Sequence, residues 1–133
     1  MCASKSAKKV IAVEIVKEAV ADARKNAKEN GVSNISFYCD DASSFMVRMA
    51  ERKEAVDVVF MDPPRKGSDE RCLDAICKLA PKRIVYVSCD PSTLARDLAY
   101  LSKKYELKTL QPVDMFPQTP HVETVACLQL KER

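Results

Sequence analysis

Glycine, histidine and tryptophan are scarce in this chain of 133 residues. The sequence contains two glycines, Gly31 and Gly67, one histidine, His121, and no tryptophan. Two isolated glycines exclude a glycine-rich loop of the kind that cradles nucleotide phosphates. A single histidine, together with six cysteines that form no C-x-x-C pair, argues against a structural zinc site, and we expect no metal.

Long apolar runs and a strong net charge are lacking as well. No apolar stretch approaches the ~20 residues that cross a bilayer, and Met1–Lys9 lacks the apolar middle of a signal peptide. The formal net charge of +3 permits a polyanionic partner without requiring one. Cysteines scattered through helix and strand patterns are typical of reduced thiols. We therefore expect a cytoplasmic protein, without a membrane partner, that folds as one domain over residues 1–133.

Short apolar strands alternate with helical patterns along the chain. The periodicity predicts strands at 8–15, 35–39, 56–61, 84–88, 107–112 and 122–130, and helices at 16–30, 42–52, 69–79 and 91–104. This alternation predicts an α/β fold with a parallel sheet and helices on both faces. The last two strands are joined by a short loop, so we expect them to be antiparallel to each other.

Cys89 lies where a predicted strand ends and a predicted helix begins. Asp90 suits the cap of that helix and Pro91 its first position. Ligands and catalytic groups of open α/β sheets collect at this edge, and the helix dipole gives a nearby thiol more thiolate character. We interpret Cys89 as a candidate nucleophile. The cysteines inside strand or helix patterns are expected to be buried and inert: Cys39, Cys72, Cys77 and Cys127.

Acidic residues follow three of the predicted strands. Glu14, Asp41 and Asp62 should lie along the same sheet edge as Cys89, where an acid can accept hydrogen bonds from ribose hydroxyls. Each acid could equally cap the next helix. The two prolines after Asp62 fix a rigid turn. Arg65, at the end of that turn, either binds a substrate phosphate or is simply solvated.

Glu123 stands among apolar residues at the start of the last predicted strand. A carboxylate that is partly removed from water accepts a proton more readily and can act as a base near neutral pH. The alternative is an exposed glutamate on an alternating strand, and composition alone does not separate the two.

Three motifs, taken in order, resemble those of one enzyme family. They read DPPRKG at Asp62–Gly67, VSCDPSTLARDL at Val87–Leu98 and FPQTPHVETVACL at Phe116–Leu128. Together they resemble the uracil-5 RNA methyltransferases, which use S-adenosylmethionine to make 5-methyluridine in transfer RNA or large-subunit (23S) ribosomal RNA. The resemblance covers essentially the whole chain. Its cysteine and glutamate motifs are highly specific, whereas other methyltransferases carry turns similar to DPPR.

The resemblance implies a role for each candidate residue. Cys89 matches the nucleophile that adds to carbon 6 of a flipped-out uracil, and Glu123 matches the base that removes the carbon-5 proton. Glu14 matches the acid that holds the cofactor ribose, and Asp41 matches the acid near the adenine. Asp62 matches the aspartate on the cofactor and substrate side of the pocket.

The resemblance also implies a Rossmann-like methyltransferase sheet that lacks its first strand and glycine-rich loop. Nothing glycine-rich precedes Lys8, and the family's amino-terminal RNA-binding portions have no match here. We therefore expect the carboxyl-terminal catalytic part of a longer enzyme, which alone is inactive and binds cofactor weakly. The strands at Val10–Val13 and Val56–Met61 would flank the missing strand. We expect them to pair directly or to borrow a strand from a second copy in a homodimer.

Two other functions stay open. The chain could be a non-catalytic nucleotide- or RNA-binding remnant that keeps the sheet and turns nothing over. It could also be a Rossmann-like methyltransferase that acts on an amino group, which Asp62 and its two prolines would fit loosely. That second alternative leaves Cys89 and Glu123 without a role.

Overall fold

A computed structural model of the chain describes residues 2–132. They divide into two compact units, of which the first ends at Phe45 and the second begins at Met46. A short 3-10 helix over Cys2–Lys5 precedes the first strand. The strands are β1 Val10–Glu14, β2 Ile35–Cys39, β3 Val58–Met61, β4 Arg83–Ser88, β5 Tyr105–Val113 and β6 Glu123–Leu130; the helices are α1 Lys17–Glu29, α2 Ala42–Glu51, α3 Glu70–Leu79 and α4 Pro91–Leu101. This order confirms the predicted α/β fold.

The first unit is built on a two-stranded parallel sheet of β1 and β2. The two strands run in register and end together at Glu14 and Cys39. Helix α1 buries Val20 and Ala27, which lie at helical spacing in the sequence. Just after the helix, Gly31 has a positive φ of 65°, a conformation that glycine adopts without steric cost. Gly31 therefore lets the chain turn away from α1 at this point.

The second unit carries a mixed four-stranded sheet in the order β3–β4–β6–β5. β3 and β4 are parallel, whereas β6 is antiparallel to both of its neighbours. The predicted antiparallel hairpin of the last two strands is therefore confirmed. Ile84 and Tyr86 of β4 are fully buried and share one core with Leu73, Ile76 and Leu101 from the helices. A closely packed core therefore supports the carboxyl edge of this sheet.

Aspartate side chains cap both helices that follow β3 and β4. The Asp69 carboxylate accepts a hydrogen bond from the Cys72 N–H at 2.8 Å, and the Asp90 carboxylate accepts one from the Thr93 N–H at 2.9 Å. Each bond satisfies an amide that has no partner within its own helix. The cap predicted at Asp90, with Pro91 in the first turn, is confirmed.

Several element boundaries differ from the predicted ones. Helix α4 ends at Leu101, three residues before the predicted end, because the N–H of Lys104 turns to the nearer carbonyl of Leu101 at 3.0 Å. β3 begins at Val58, two residues later than predicted. β5 extends to Val113 because β6 offers a partner for every residue at that end. It tolerates Pro112 since β5 is an edge strand.

The expectation that β1 and β3 pair directly is wrong. Among residues 2–132, β1 forms its ladder with β2 and β3 forms its ladder with β4, in two separate sheets. Each strand satisfies one row of backbone groups inside its own unit, so a direct ladder is not needed to form either sheet. β3 leaves Val58 and Phe60 exposed, at 42% and 66% of their surfaces. Strand exchange with a second copy stays a prediction.

Candidate functional site

Three of the candidate residues lie at one edge of the mixed sheet. β3 ends at Met61 and β4 at Ser88, so Asp62 and Cys89 follow the carboxyl ends of neighbouring parallel strands. β6 runs in the opposite direction and begins at Glu123, at the same edge. The topology therefore brings a carboxylate, a thiol and a second carboxylate to three adjacent strand ends.

The register of β4 against β6 places Cys89 and Glu123 at the same end of one ladder. The last residue pair of this antiparallel ladder is Ser88 with Thr124. Cys89 directly follows Ser88 at the end of β4, and Glu123 directly precedes Thr124 at the start of β6. Both residues are partly buried. The thiol and the carboxylate therefore belong to residues next to the last pair of the ladder.

Hydrogen bonds around Asp90 fix the backbone that carries Cys89. The Ser88 hydroxyl donates to the Asp90 carbonyl at 2.9 Å and accepts from the Asp90 N–H at 3.1 Å. The hydrogen bond from the Thr93 N–H lowers the pKa of the Asp90 carboxyl, with a smaller lowering from the charge of His121.

The loop after β3, residues 62–68, lies on the first two turns of α4. The Thr93 hydroxyl donates to the Arg65 carbonyl at 2.8 Å, and Arg96 Nη2 donates to the Lys66 carbonyl at 2.9 Å. Gly67 is buried at the contact, with a φ of 77°. The Asp62 and Arg65 side chains are exposed. The rigid proline turn that the sequence predicts is thus anchored through its backbone, while its charged side chains face outward.

Asp97 is a polar residue that the sequence reasoning missed. Its carboxylate is fully buried and accepts hydrogen bonds from the Tyr86 hydroxyl at 2.5 Å and the Ser68 N–H at 2.7 Å. Burial, followed by the bond to Asp97, raises the pKa of Tyr86 well above its usual value. The sequence does contain a signal for the burial of Asp97, because helical spacing puts this residue on the same core-facing side of α4 as Leu94 and Leu101.

The other cysteines are only partly as expected. All six cysteines lie within the described residues 2–132, and all are free thiols. Cys72 is buried, and burial also raises the pKa of the half-buried Cys77. The expectation of a buried Cys39 is wrong, since it is exposed at the end of β2. A two-stranded sheet has too few neighbours to cover that strand end.

The two acids of the first unit lie at the carboxyl edge of its own sheet. Glu14 ends β1, and its carboxylate accepts a hydrogen bond from the Val16 N–H at 2.9 Å. Asp41 follows β2, and its carboxylate accepts one from the Ser44 N–H at 2.8 Å. Both residues are exposed. Each acid therefore supports the turn that follows its own strand, and each lies where hydroxyl donors of a ligand have access.

These acids bear on what the first unit could hold. Exposed carboxylates at the ends of adjacent parallel strands fit a ligand that donates hydrogen bonds from ribose hydroxyls.

Among residues 2–132, no group of three or more His, Cys, Asp or Glu side chains could hold a metal ion. Within the same range, none of the helices combines the length and apolar character needed to cross a membrane.

Comparison with known proteins identifies the family. The family model described as tRNA (Uracil-5-)-methyltransferase matches residues 1–131. The chain belongs to this family. The resemblance carried by the three motifs of the sequence is thereby confirmed.

Relatives of this methyltransferase family match nearly the whole chain. An uncharacterized RNA methyltransferase of Oceanobacillus iheyensis is 51% identical over 129 residues, which is 96% of this chain and 28% of the relative. The solved tRNA (uracil-54, C5)-methyltransferase of Pyrococcus abyssi, in complex with S-adenosyl-L-homocysteine, is 34% identical with a TM-score of 0.76. That match covers 94% of this chain and 30% of the archaeal protein. The chain thus spans less than a third of each relative's length.

A more distant structure supports the fold alone. An rRNA methylase from Streptococcus thermophilus has a TM-score of 0.71 at 14% identity, and the match covers 97% of this chain and 77% of that chain. Together with the closer archaeal structure, it shows that the chain has the α/β fold of S-adenosylmethionine-dependent methyltransferases.

Proposed function

We propose that this chain carries the catalytic part of an enzyme that methylates carbon 5 of a uridine in transfer RNA or 23S ribosomal RNA. In this proposal Cys89 is the nucleophile and Glu123 is the base. The observation that carries the proposal is the register of β4 and β6, whose ladder ends at the pair Ser88 and Thr124, the immediate chain neighbours of Cys89 and Glu123. Membership of the tRNA (Uracil-5-)-methyltransferase family supports the same roles.

The chemistry begins with the Cys89 thiolate. Its Sγ forms a bond to carbon 6 of the uracil, and the electrons of the carbon 5–carbon 6 double bond move towards the carbon-4 carbonyl. Carbon 5 thereby becomes nucleophilic. S-adenosylmethionine, when bound, would supply the electrophilic methyl group to carbon 5, with its S–CH3 bond breaking and S-adenosylhomocysteine leaving. Because the ring must be approached from its face, the target base has to leave its stack before Cys89 can reach it.

Glu123 completes the cycle in this proposal. Its carboxylate takes the proton from carbon 5, the double bond re-forms, and the bond between carbon 6 and Sγ breaks to release the thiolate of Cys89. The position of Glu123 at the start of β6, at the sheet edge where β4 ends before Cys89, supports this role.

The remaining candidates would bind rather than react. Glu14 and Asp41 would hold the ribose and adenine ends of the cofactor. Asp62 would stand between cofactor and uracil, since it follows the strand next to that of Cys89. The exposed Arg65 would contact an RNA phosphate. The RNA partner would place the enzyme in the cytoplasm.

The addition step can be tested on the chain itself, because forming the bond to carbon 6 requires no methyl donor. The purified chain is incubated with RNA that contains 5-fluorouridine and is analysed by denaturing mass spectrometry. We expect a covalent complex of chain and RNA whose mass lacks an added methyl group. The complex should disappear in Cys89→Ala. A chain that forms no complex, or a Cys89→Ala variant that still forms one, would contradict the proposed function.

Two further variants assign the roles. Cys39→Ala is the matched control, because Cys39 is an exposed thiol that belongs to the other unit and ends a strand as Cys89 follows one. This variant should form the complex at the rate of the unaltered chain. Glu123→Gln should also form it, since the base acts only after the bond between Sγ and carbon 6 exists. Loss of the complex in Glu123→Gln would contradict the assignment of Glu123 to the later step.

A further inference from the structure

The buried carboxylate of Asp97 accepts four hydrogen bonds within the second unit. Besides the Tyr86 hydroxyl and the Ser68 N–H, it accepts hydrogen bonds from Arg96 Nε at 2.9 Å and Arg96 Nη2 at 2.8 Å. Asp97 is fully buried, while the side chain of Arg96 is 58% exposed. Burying a carboxylate is costly unless it is paired and hydrogen-bonded, and these four bonds provide that compensation.

The donors to Asp97 come from three different parts of the second unit. Tyr86 lies in the middle of β4, Ser68 closes the loop after β3, and Arg96 precedes Asp97 on α4. Arg96 Nη2 also donates to the Lys66 carbonyl at 2.9 Å and the Ser68 carbonyl at 3.2 Å. One carboxylate therefore joins the nucleophile's strand, the helix after the nucleophile and the loop that begins at Asp62.

The loop and α4 approach each other closely at Gly67. A Cβ added at Gly67 would lie 2.5 Å from Arg96 Nη2 and 2.7 Å from Asp97 Oδ2. Gly67 is held there by its own N–H, which donates to the Pro64 carbonyl at 2.8 Å. The loop backbone therefore lies directly on the pair formed by Arg96 and Asp97.

We propose that Asp97 is a positioning residue that holds the loop of Asp62 and Arg65 in register with Cys89. Cys89 is followed at once by the first turn of α4, and Asp97 lies two turns further along the same helix. A loop fixed to that helix moves with it, so Asp62 keeps a constant distance from the thiol. Positional errors of about 1 Å can cost about 100-fold in rate, so a fixed loop position matters for attack on a planar ring. The brace is the set of four hydrogen bonds that Asp97 accepts from Tyr86, Ser68 and Arg96. The catalytic consequence rests on the proposed function, whereas the brace itself does not.

A matched pair of tyrosines separates positioning from general stability. Tyr86 and Tyr105 are both fully buried, and the hydroxyl of each donates one hydrogen bond. Tyr86 donates to Asp97, while Tyr105 donates to the Pro81 carbonyl at 3.0 Å, before the start of β4. Tyr86→Phe and Tyr105→Phe each remove one buried hydroxyl. Only Tyr86→Phe removes a bond of the proposed brace.

The first readout is hydrogen exchange of the loop in the purified chain. In Asp97→Asn, the side-chain NH2 replaces one acceptor oxygen and must face a group that is itself a donor. We therefore expect the backbone N–H groups of Gly67 and Ser68 to exchange about tenfold faster than in wild type, or more. Tyr86→Phe should exchange these amides several-fold faster, and Tyr105→Phe should leave them at the wild-type rate. Equal loop exchange in the two tyrosine variants would overturn the proposal, even if Asp97→Asn fails to fold.

The second readout is the rate of covalent complex formation with 5-fluorouridine RNA. We expect Tyr86→Phe to slow complex formation several-fold and Tyr105→Phe to keep the wild-type rate. The thermal stability of both variants is measured as well, so that the rates are compared at a similar loss of stability. Equal rates in the two variants would contradict the catalytic consequence. If the unaltered chain forms no complex, the proposed function fails, and the exchange data still decide whether Asp97 braces the loop.

Discussion

The two units of the chain differ in how their candidate residues are supported. In the second unit, the sheet edge with Cys89 and Glu123 stands on a core in which Tyr86, Ile84 and Leu101 are fully buried. In the first unit, Glu14 and Asp41 are exposed at the end of a two-stranded sheet. Two strands alone are marginal in water, whereas four strands with packed helices can be stable. The sheet edge with Cys89 and Glu123 is therefore better supported than the sheet edge with Glu14 and Asp41.

The largest expected contrast between the units is in binding. We expect isothermal calorimetry to detect no binding of S-adenosylmethionine at micromolar concentrations, because the glycine-rich loop that the resemblance implies for the cofactor has no match in this sequence. The same preparation should form the covalent complex through Cys89. Micromolar affinity for the cofactor would remove the distinction between the two units.

Substitution of the two glycines compares the units by stability. A Cβ at Gly67 would meet Arg96 and Asp97, whereas a Cβ at Gly31 would meet nothing within 4 Å, and both glycines have positive φ. Gly31→Ala carries the conformational penalty alone, about 1–2 kcal/mol. Gly67→Ala adds a steric overlap, for a total of about 3 kcal/mol or more. Urea unfolding followed by circular dichroism measures both, and equal losses would show that the loop can move away from α4.

The sequence predicted the elements well because their signals are local. Apolar periodicity and the cap at Asp90 each depend on neighbours within a few residues, and the structure confirms both. The strand ends that carry Cys89 and Glu123 follow from element boundaries, so their shared edge was also predictable. Long-range pairing was not, because no local pattern tells β3 which strands it will meet.

The role of Asp97 was missed for a related reason. A lone acid in an amphipathic helix is usually solvated, and its partners Tyr86 and Ser68 lie 11 and 29 positions away in sequence. Exposure was equally hard to foresee at Cys39, whose strand pattern is apolar. Burial of Cys39 would require further residues packed over the end of β2, and the first unit by itself does not supply them.

Helix capping offers a smaller contrast. Asp69 caps α3 in the second unit, whereas Val16 stands at the cap of α1 in the first unit without any side-chain hydrogen bond. Asp69→Ala should lower the unfolding free energy by about 1 kcal/mol, and Val16→Ser should raise it by about 0.5 kcal/mol. Urea unfolding tests both. No gain in Val16→Ser would mean that the hydrogen bond from the Val16 N–H to Glu14 already orders this helix start.

The smallest expected effect concerns the contact between α3 and α4. The Tyr100 hydroxyl donates to the Asp74 carboxylate, and this bond, followed by burial, raises the pKa of Tyr100 to about 12 from its ordinary value of 10.0. Since the folded state favours the protonated phenol, the bond stabilises the fold at every pH below 10 and is lost as the pH rises towards 12. The stability advantage of wild type over Tyr100→Phe should therefore shrink over that interval.

The tyrosinate absorbance gives the pKa of Tyr100 directly, as the difference between titrations of wild type and Tyr100→Phe. The midpoint of the difference should lie near 12, and it should fall towards 10.0 in an Asp74→Asn background, because the charge that opposes ionisation is then gone. A midpoint near 10.0 in the wild type would mean that Asp74 does not hold Tyr100 in solution. The hydrogen bond between Tyr100 and Asp74 would then add little to the contact between α3 and α4.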